Sequence, residues 1–99
     1  MSTNKKLIRK IFRNSVFTRD NFKCKCCGSD NNLDAHHITD RTLMPRGGYV
    51  IANGITLCSV CHLKAEYFHS NGESLPDFSP EDLYKKINSS YEIAVKMSL

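Results

Sequence analysis

Two Cys-x-x-Cys pairs, Cys24/Cys27 and Cys58/Cys61, bracket a His36-His37 dipeptide and an Asn53-Gly54 step, and His62 abuts the last cysteine. These residues offer ligands for two metals of different character. Zn²⁺ prefers four tetrahedral ligands, and four thiolates close a site against further chemistry. Thirty residues separate the two pairs, more than a compact zinc ribbon holds, so the cage encloses a whole hairpin. Cys26 is the odd fifth cysteine. A Cys-x-Cys pair would distort the usual knuckle turn, so Cys26 reads as a free thiol. Disulfides are the alternative to zinc. The odd count and the charged start, Met1 to Lys6, which lacks the apolar run of a secretory signal, favour zinc.

The His36-His37 pair points to a second, open site. Adjacent residues on a regular strand face opposite ways. Both rings serve one site only at a strand end or an irregularity, where one binds a metal and the other acts as a general base. The other reading has one ring as ligand and its neighbour packed or exposed. His62 opens a predicted helix, with Glu66 four and His69 seven residues on, all on one helix face. An i, i+4 pair is a standard way to present two ligands to one metal. Glu66 reads equally as a surface carboxylate, and His69 as a capping or exposed residue near the helix end. Asp34 and Asp40 flank the His pair, as imidazole partners or as turn residues.

Ninety-nine residues make a single small α+β domain. So short a chain buries a modest core and needs a staple. Lys5 to about Thr18 reads as an amphipathic helix, with Leu7, Ile8, Ile11, Phe12 and Ser15-Val16 inward. Leu33 to Ile38 reads as a strand and Thr39 to Tyr49 as a loop. Val50-Ile51 opens a return strand, Asn53-Gly54 makes a turn, and Ile55 to Leu57 runs on as β structure. A helix follows from Ser59 to about Phe68, ended by Asn71-Gly72. Ser79-Pro80-Glu81-Asp82 is a strong helix start and predicts one helix to about Met97, with Leu83, Ile87, Tyr91 and Val95 inward.

The net charge is +4. Its cations crowd the first quarter of the chain: Lys5, Lys6, Arg9, Lys10, Arg13, Arg19, Lys23 and Lys25, against Asp20 alone. Such a face fits a polyanion such as nucleic acid, or is a solvated helix surface. The chain has no long apolar run, so no membrane span is expected.

The order Cys24-x-x-Cys27-Gly28, His36-His37, Asn53-Gly54, Leu57-Cys58-x-x-Cys61-His62 closely resembles the HNH endonucleases, over about Val16 to His69. Small standalone HNH proteins of bacteria and phages look like this. The resemblance implies a ββα-metal finger, a β-hairpin crossed by a helix, here stapled by a four-Cys zinc site. It divides the chain into a basic N-terminal helix (1–20), the ββα core (21–70) and a C-terminal helix (79–97). It implies that His37 is the general base and that Asn53 fixes the loop between the strands and helps orient that base. His36 and His62 become ligands of one catalytic divalent cation, which is Mg²⁺, Mn²⁺, Ni²⁺ or Zn²⁺. Glu66 stands where members often place a further ligand, commonly His; a carboxylate suits Mg²⁺ or Mn²⁺. Arg41 and Arg46, on the loop after the base, are candidates to hold the phosphate. The expected activity is metal-dependent hydrolysis of DNA phosphodiester bonds, in the cytoplasm of a bacterial or phage-infected cell. A homodimer or a protein partner is left open. The rival is a non-catalytic zinc module that binds nucleic acid or protein and needs neither His37 nor Asn53.

Overall fold

The computed structural model describes residues 5–99. Residues 1–4 of the expected N-terminal segment lie outside the described residues. The element order is helix α1 (Lys5–Arg19), strand β1 (Leu33–His37), strand β2 (Gly54–Cys58), helix α2 (Ser59–Asn71), helix α3 (Pro80–Lys86) and helix α4 (Tyr91–Ser98). Three short 3₁₀ turns, Arg41–Leu43, Pro45–Gly48 and Ile51–Asn53, join the two strands. None of the described helices is long and apolar enough to cross a membrane.

The strands pair antiparallel, with Leu33 opposite Cys58, His36 opposite Ile55 and His37 opposite Gly54. Opposed residues share a face, so the register splits the hairpin into two sides. On one side stand Ala35, His37, Gly54 and Thr56, under α1. On the other stand Asp34, His36, Ile55 and Leu57, toward α2. Every residue of β2 is buried, as expected of a strand covered on both faces. Helix α1 buries Phe12, Val16 and Phe17, while Leu7 and Ile11, expected inward, are 52% and 56% exposed. The covering stripe is therefore the Phe12–Val16 pair at i, i+4, rotated from the expected face. A side chain at Gly54 has no room: a Cβ there would lie 2.5 Å from Val16 Cγ2 and 2.6 Å from Phe12 Cζ.

Asp20 ties α1 to the hairpin. Its carboxylate, only 2% exposed, accepts from the Thr56 backbone N–H at 2.9 Å and from Arg19 at 2.8 Å. The Arg19 guanidinium also donates to the Ile51 and Gly54 carbonyls at 2.6 Å each. Burial alone would raise the Asp20 carboxyl, but the hydrogen bonds from Arg19 and Thr56 outweigh it and hold it below the ordinary carboxylate value.

Two expectations fail here. Val50-Ile51 opens no strand: Asn53 N–H donates to the Val50 carbonyl at 2.9 Å and closes a 3₁₀ turn, so β2 starts at Gly54. The single C-terminal helix is two. Asn88 takes a left-handed φ of 54°, the Ser89 hydroxyl donates to the Ala52 carbonyl at 2.9 Å, and Ser90 caps α4 through the Ile93 N–H. Asn and Ser favour such breaks because their short side chains compete with the helix ladder. Leu83, Tyr84 and Ala94 are buried with Ile38, Ile55, Leu57 and Ala65 in one core, whereas Tyr91 is 49% exposed. Both C-terminal helices thus belong to the folded unit.

Candidate metal and catalytic site

The four-Cys cluster forms where three segments meet. Cys24 and Cys27 lie on a knuckle closed by Cys24 N–H to the Ser29 carbonyl (2.7 Å) and Gly28 N–H to the Cys24 carbonyl (2.9 Å). Lys25 N–H reaches the Thr56 carbonyl at 2.9 Å, which docks the knuckle on β2. Cys58 ends β2, and Cys61 stands in the first turn of α2. The ligand atoms of Cys24, Cys27, Cys58 and Cys61 all lie within 4.8 Å of one another, and the Cys27 and Cys58 sulfurs are 3.5 Å apart. A tetrahedron with Zn–S bonds of about 2.3 Å has sulfur–sulfur edges of about 3.8 Å, so this donor set fits zinc. Burial works to raise the Cys24 thiol, but backbone groups of Cys27, Cys58 and Cys26 pull it down to about 6. Cys26 stands outside the cluster, and burial pushes its thiol up to about 11, as suits an inert packed thiol.

The second cluster is His36, His62 and Glu66, whose ligand atoms again lie within 4.8 Å of one another. His36 is buried, with its Nδ1 3.1 Å from Glu66 Oε2. His62 Nε2 is 3.5 Å from the same Glu66 oxygen, one helical turn on, and His62 Nδ1 is 3.5 Å from Asp34 Oδ2. Both His36 ring nitrogens are buried without a hydrogen-bond partner. Buried imidazole nitrogens that lack a hydrogen-bond partner beside a carboxylate fit the donor set of a cation site. Burial, and then the neighbouring imidazoles, push His36 down to about 3, so it is neutral and able to ligate.

His37 turns to the other face of β1. Its ring stacks on Phe12 at 4.5 Å and meets the edge of Tyr49 at 4.8 Å. Burial, and then the Arg41 charge, push it down to about 4, so it is neutral at pH 7. The strict alternation of the strand therefore holds, and yet both rings line one open cavity of about 320 Å³ with Asp40, Arg41, His62, Glu66 and His69. Sharing is possible because His37 is the last residue of β1 and the sheet has only two strands, so the cavity wraps the strand end.

Asn53 is fully buried and holds the connection between the strands. Its Oδ1 accepts from Thr39 N–H (3.0 Å) and from the Tyr84 hydroxyl (2.8 Å), and its Nδ2 donates to the Thr39 (3.1 Å) and Gly48 (3.2 Å) carbonyls. Its own carbonyl accepts from Ile38 N–H at 2.9 Å, one residue after His37. Gly48, at φ 63°, must lack a side chain, since a Cβ there would sit 2.7 Å from Asn53 Nδ2. Arg41 lines the shared cavity, whereas Arg46 lies in a neighbouring one.

Further side chains gather around the site, two of them tyrosines that the sequence does not single out. His69 is not exposed: its side chain is 14% accessible, its ring is 5.2 Å from that of His36, and its Nδ1 is 3.8 Å from Asp40 Oδ2. Tyr49 and Tyr84 reach the site from a loop and from α3, and no local spacing marks them. Asp34 lies on β1 with one carboxylate oxygen 3.5 Å from His62 Nδ1 and the other 3.4 Å from Arg13 Nη1.

Residues 24–68 match the family model for HNH endonuclease. Over those residues the chain is similar to the HNH endonucleases. Its two-stranded hairpin, its following helix and its four-Cys cluster are consistent with the ββα-metal finger. No curated protein and no solved structure matches the chain. The HNH match spans β1, β2 and most of α2, and so includes every member of both ligand clusters.

Proposed function

We propose that this protein is a metal-dependent endonuclease that hydrolyses phosphodiester bonds in DNA, by nicking or by cutting both strands. One observation carries the reading: a single open cavity brings a His-His-Glu ligand cluster, a neutral imidazole from another face and an arginine together. His36, His62 and Glu66 would hold one divalent cation. Two imidazoles and a carboxylate suit Mn²⁺, Ni²⁺ or Zn²⁺ as well as Mg²⁺. When bound, that cation supplies positive charge to the phosphate and the departing oxygen.

His37 takes the proton of the attacking water. The water oxygen bonds to phosphorus, the P–O3′ bond breaks, and the departing 3′-oxygen takes a proton from solvent, which leaves a 5′-phosphate and a 3′-hydroxyl. Phe12 and Tyr49 hold the imidazole plane, which is pre-organisation bought with packing rather than a hydrogen bond. An approaching phosphate raises the basicity of His37, because a nearby anion favours the imidazolium. Arg41 faces the phosphate with a charge that remains at any working pH. The four-Cys site holds structural zinc and takes no part in the chemistry. Thiols of this kind suit a reducing cytoplasm.

The test is supercoiled plasmid incubated with the zinc-loaded protein and Mg²⁺, Mn²⁺, Ni²⁺ or Zn²⁺ in turn, beside His37→Ala. Relaxed or linear product should require both the added cation and His37, with the variant slower by about a hundredfold or more. Intact plasmid under every cation, with DNA still bound, would instead identify a binding module.

A further inference from the structure

Beyond His37 the cavity system continues. A second pocket of about 280 Å³ lies against His37 and is walled by Arg9, Arg13, Arg41 and Tyr49. Beside it lies a third of about 600 Å³, with Lys5, Arg9, Arg41, Arg46 and Tyr49 in its walls. Arg9, Arg41 and Tyr49 belong to both pockets, and Arg41 belongs to the catalytic cavity as well. This third pocket brings four cations together from two distant segments, the start of α1 and the 41–49 connection, and no acidic residue is among its described lining.

Like charges gathered in a concavity repel one another unless an anion sits among them. Two local features maintain the gathering. Arg46 occupies a left-handed conformation (φ 54°, ψ 25°), which is uncommon outside glycine and carries strain. Gly47 leaves its space to the Tyr49 ring, since a Cβ there would lie 2.7 Å from that ring. The Tyr49 hydroxyl in turn accepts from Arg41 at 3.3 Å, so one aromatic ring braces both His37 and the basic wall.

We propose that this pocket holds an uncut backbone phosphate of the cleaved strand, gripped by Arg9 and Arg46, with Arg41 shared between it and the scissile phosphate. The inference rests on the nuclease reading and deepens it. The strand would run from the ligand cluster past His37 and Tyr49 into the basic pocket. Arginine suits this role because its planar fork matches phosphate oxygens. Contacts of this kind position the strand without reading its sequence.

The test uses the full zinc-loaded chain on a His37→Ala background, a fluorescein-labelled DNA duplex and no added divalent cation, with affinity measured against salt. Arg9→Gln, Arg46→Asn and their double variant are compared with Lys96→Gln on α4. Asparagine at position 46 keeps a residue that tolerates the left-handed backbone. The slope of log affinity on log salt should become shallower by about 0.9 for one phosphate lost. The double variant should lose no more than either single one allows for that one phosphate. Lys96→Gln should leave the slope unchanged. Neutralising one uncut linkage as methylphosphonate should weaken the parent protein about tenfold and leave the double variant indifferent. With His37 restored, the double variant should raise KM about tenfold and leave kcat within about twofold.

An unchanged slope with cutting intact overturns the phosphate pocket and spares the nuclease. A shallower slope in a protein that never cuts overturns the nuclease and keeps the pocket. Failure to bind DNA at all overturns both.

Discussion

The Tyr84 hydroxyl donates to Asn53 Oδ1 at 2.8 Å, and so helix α3 reaches into the hairpin connection and holds the residue that shapes it. Thr39 Oγ1 lies 2.6 Å from the same tyrosine oxygen and completes the chain by donating to it. The network is buried and every polar atom of the Asn53 side chain is used. Such networks are costly to break in part, because the remaining groups stay out of water. Tyr84→Phe leaves Asn53 Oδ1 with its Thr39 partner and should cost about 1–2 kcal/mol in denaturant unfolding. Asn53→Ala strands two carbonyls and an N–H and should cost about 3 kcal/mol or more. Equal stability of both variants would refute the network as a support.

Asp34 tests the metal site from outside. Its carboxylate is 3.5 Å from His62 Nδ1, on the side away from Glu66. A carboxylate behind a ligating imidazole fixes the tautomer and ring orientation. Asp34→Asn should weaken Mn²⁺ binding by about 10–100-fold in calorimetry, and Glu66→Ala by more. Tightly bound zinc, measured by metal analysis, should remain in both variants because the cysteines are untouched. Unaltered Mn²⁺ affinity in Glu66→Ala would remove Glu66 from the ligand set.

Removal of zinc should unfold the core. The cluster joins the knuckle, the end of β2 and the start of α2. A structural zinc contributes its binding energy directly to folding. Cys61→Ser, or a strong chelator, should abolish the cooperative thermal transition seen by circular dichroism. Retention of that transition after complete zinc loss would show a core that stands on packing alone.

Asp20 predicts part of the acid response. Its folded carboxyl is held below the ordinary value of 3.8, despite burial, by the Arg19 and Thr56 hydrogen bonds. A folded pKa below the unfolded one contributes stability that is fully present above the unfolded value and is lost as pH falls through the folded one. The stabilisation by Asp20 should thus be intact at neutral pH and fade below about pH 4. Zinc release also weakens the fold in acid, so the measurement is a comparison. Asp20→Asn should be the less stable protein at pH 7, and the gap should narrow as pH drops toward 3. A gap that stays constant with pH would assign the effect to packing.

The sequence by itself determined which metal-ligating side chains could be presented together. Cys24, Cys27, Cys58 and Cys61 stand in register for a closed thiolate cage, and His62 and Glu66 share a helix face, because ligand spacing on a turn or a helix is local geometry. The same locality made α1, β1, α2 and the Ser79 cap legible. Tertiary structure decided the rest. Which face α1 buries depends on Gly54 and Val16, far apart in the chain. The break of the C-terminal helix at Asn88 to Ser90 answers to the Ala52 carbonyl, which no local pattern reveals. Tyr49 against His37, Tyr84 against Asn53, and Arg9 beside Arg41 and Arg46 are meetings of distant segments. Side-chain periodicity fixes where a residue faces along its own element, but only the packing of one element on another fixes what it meets there.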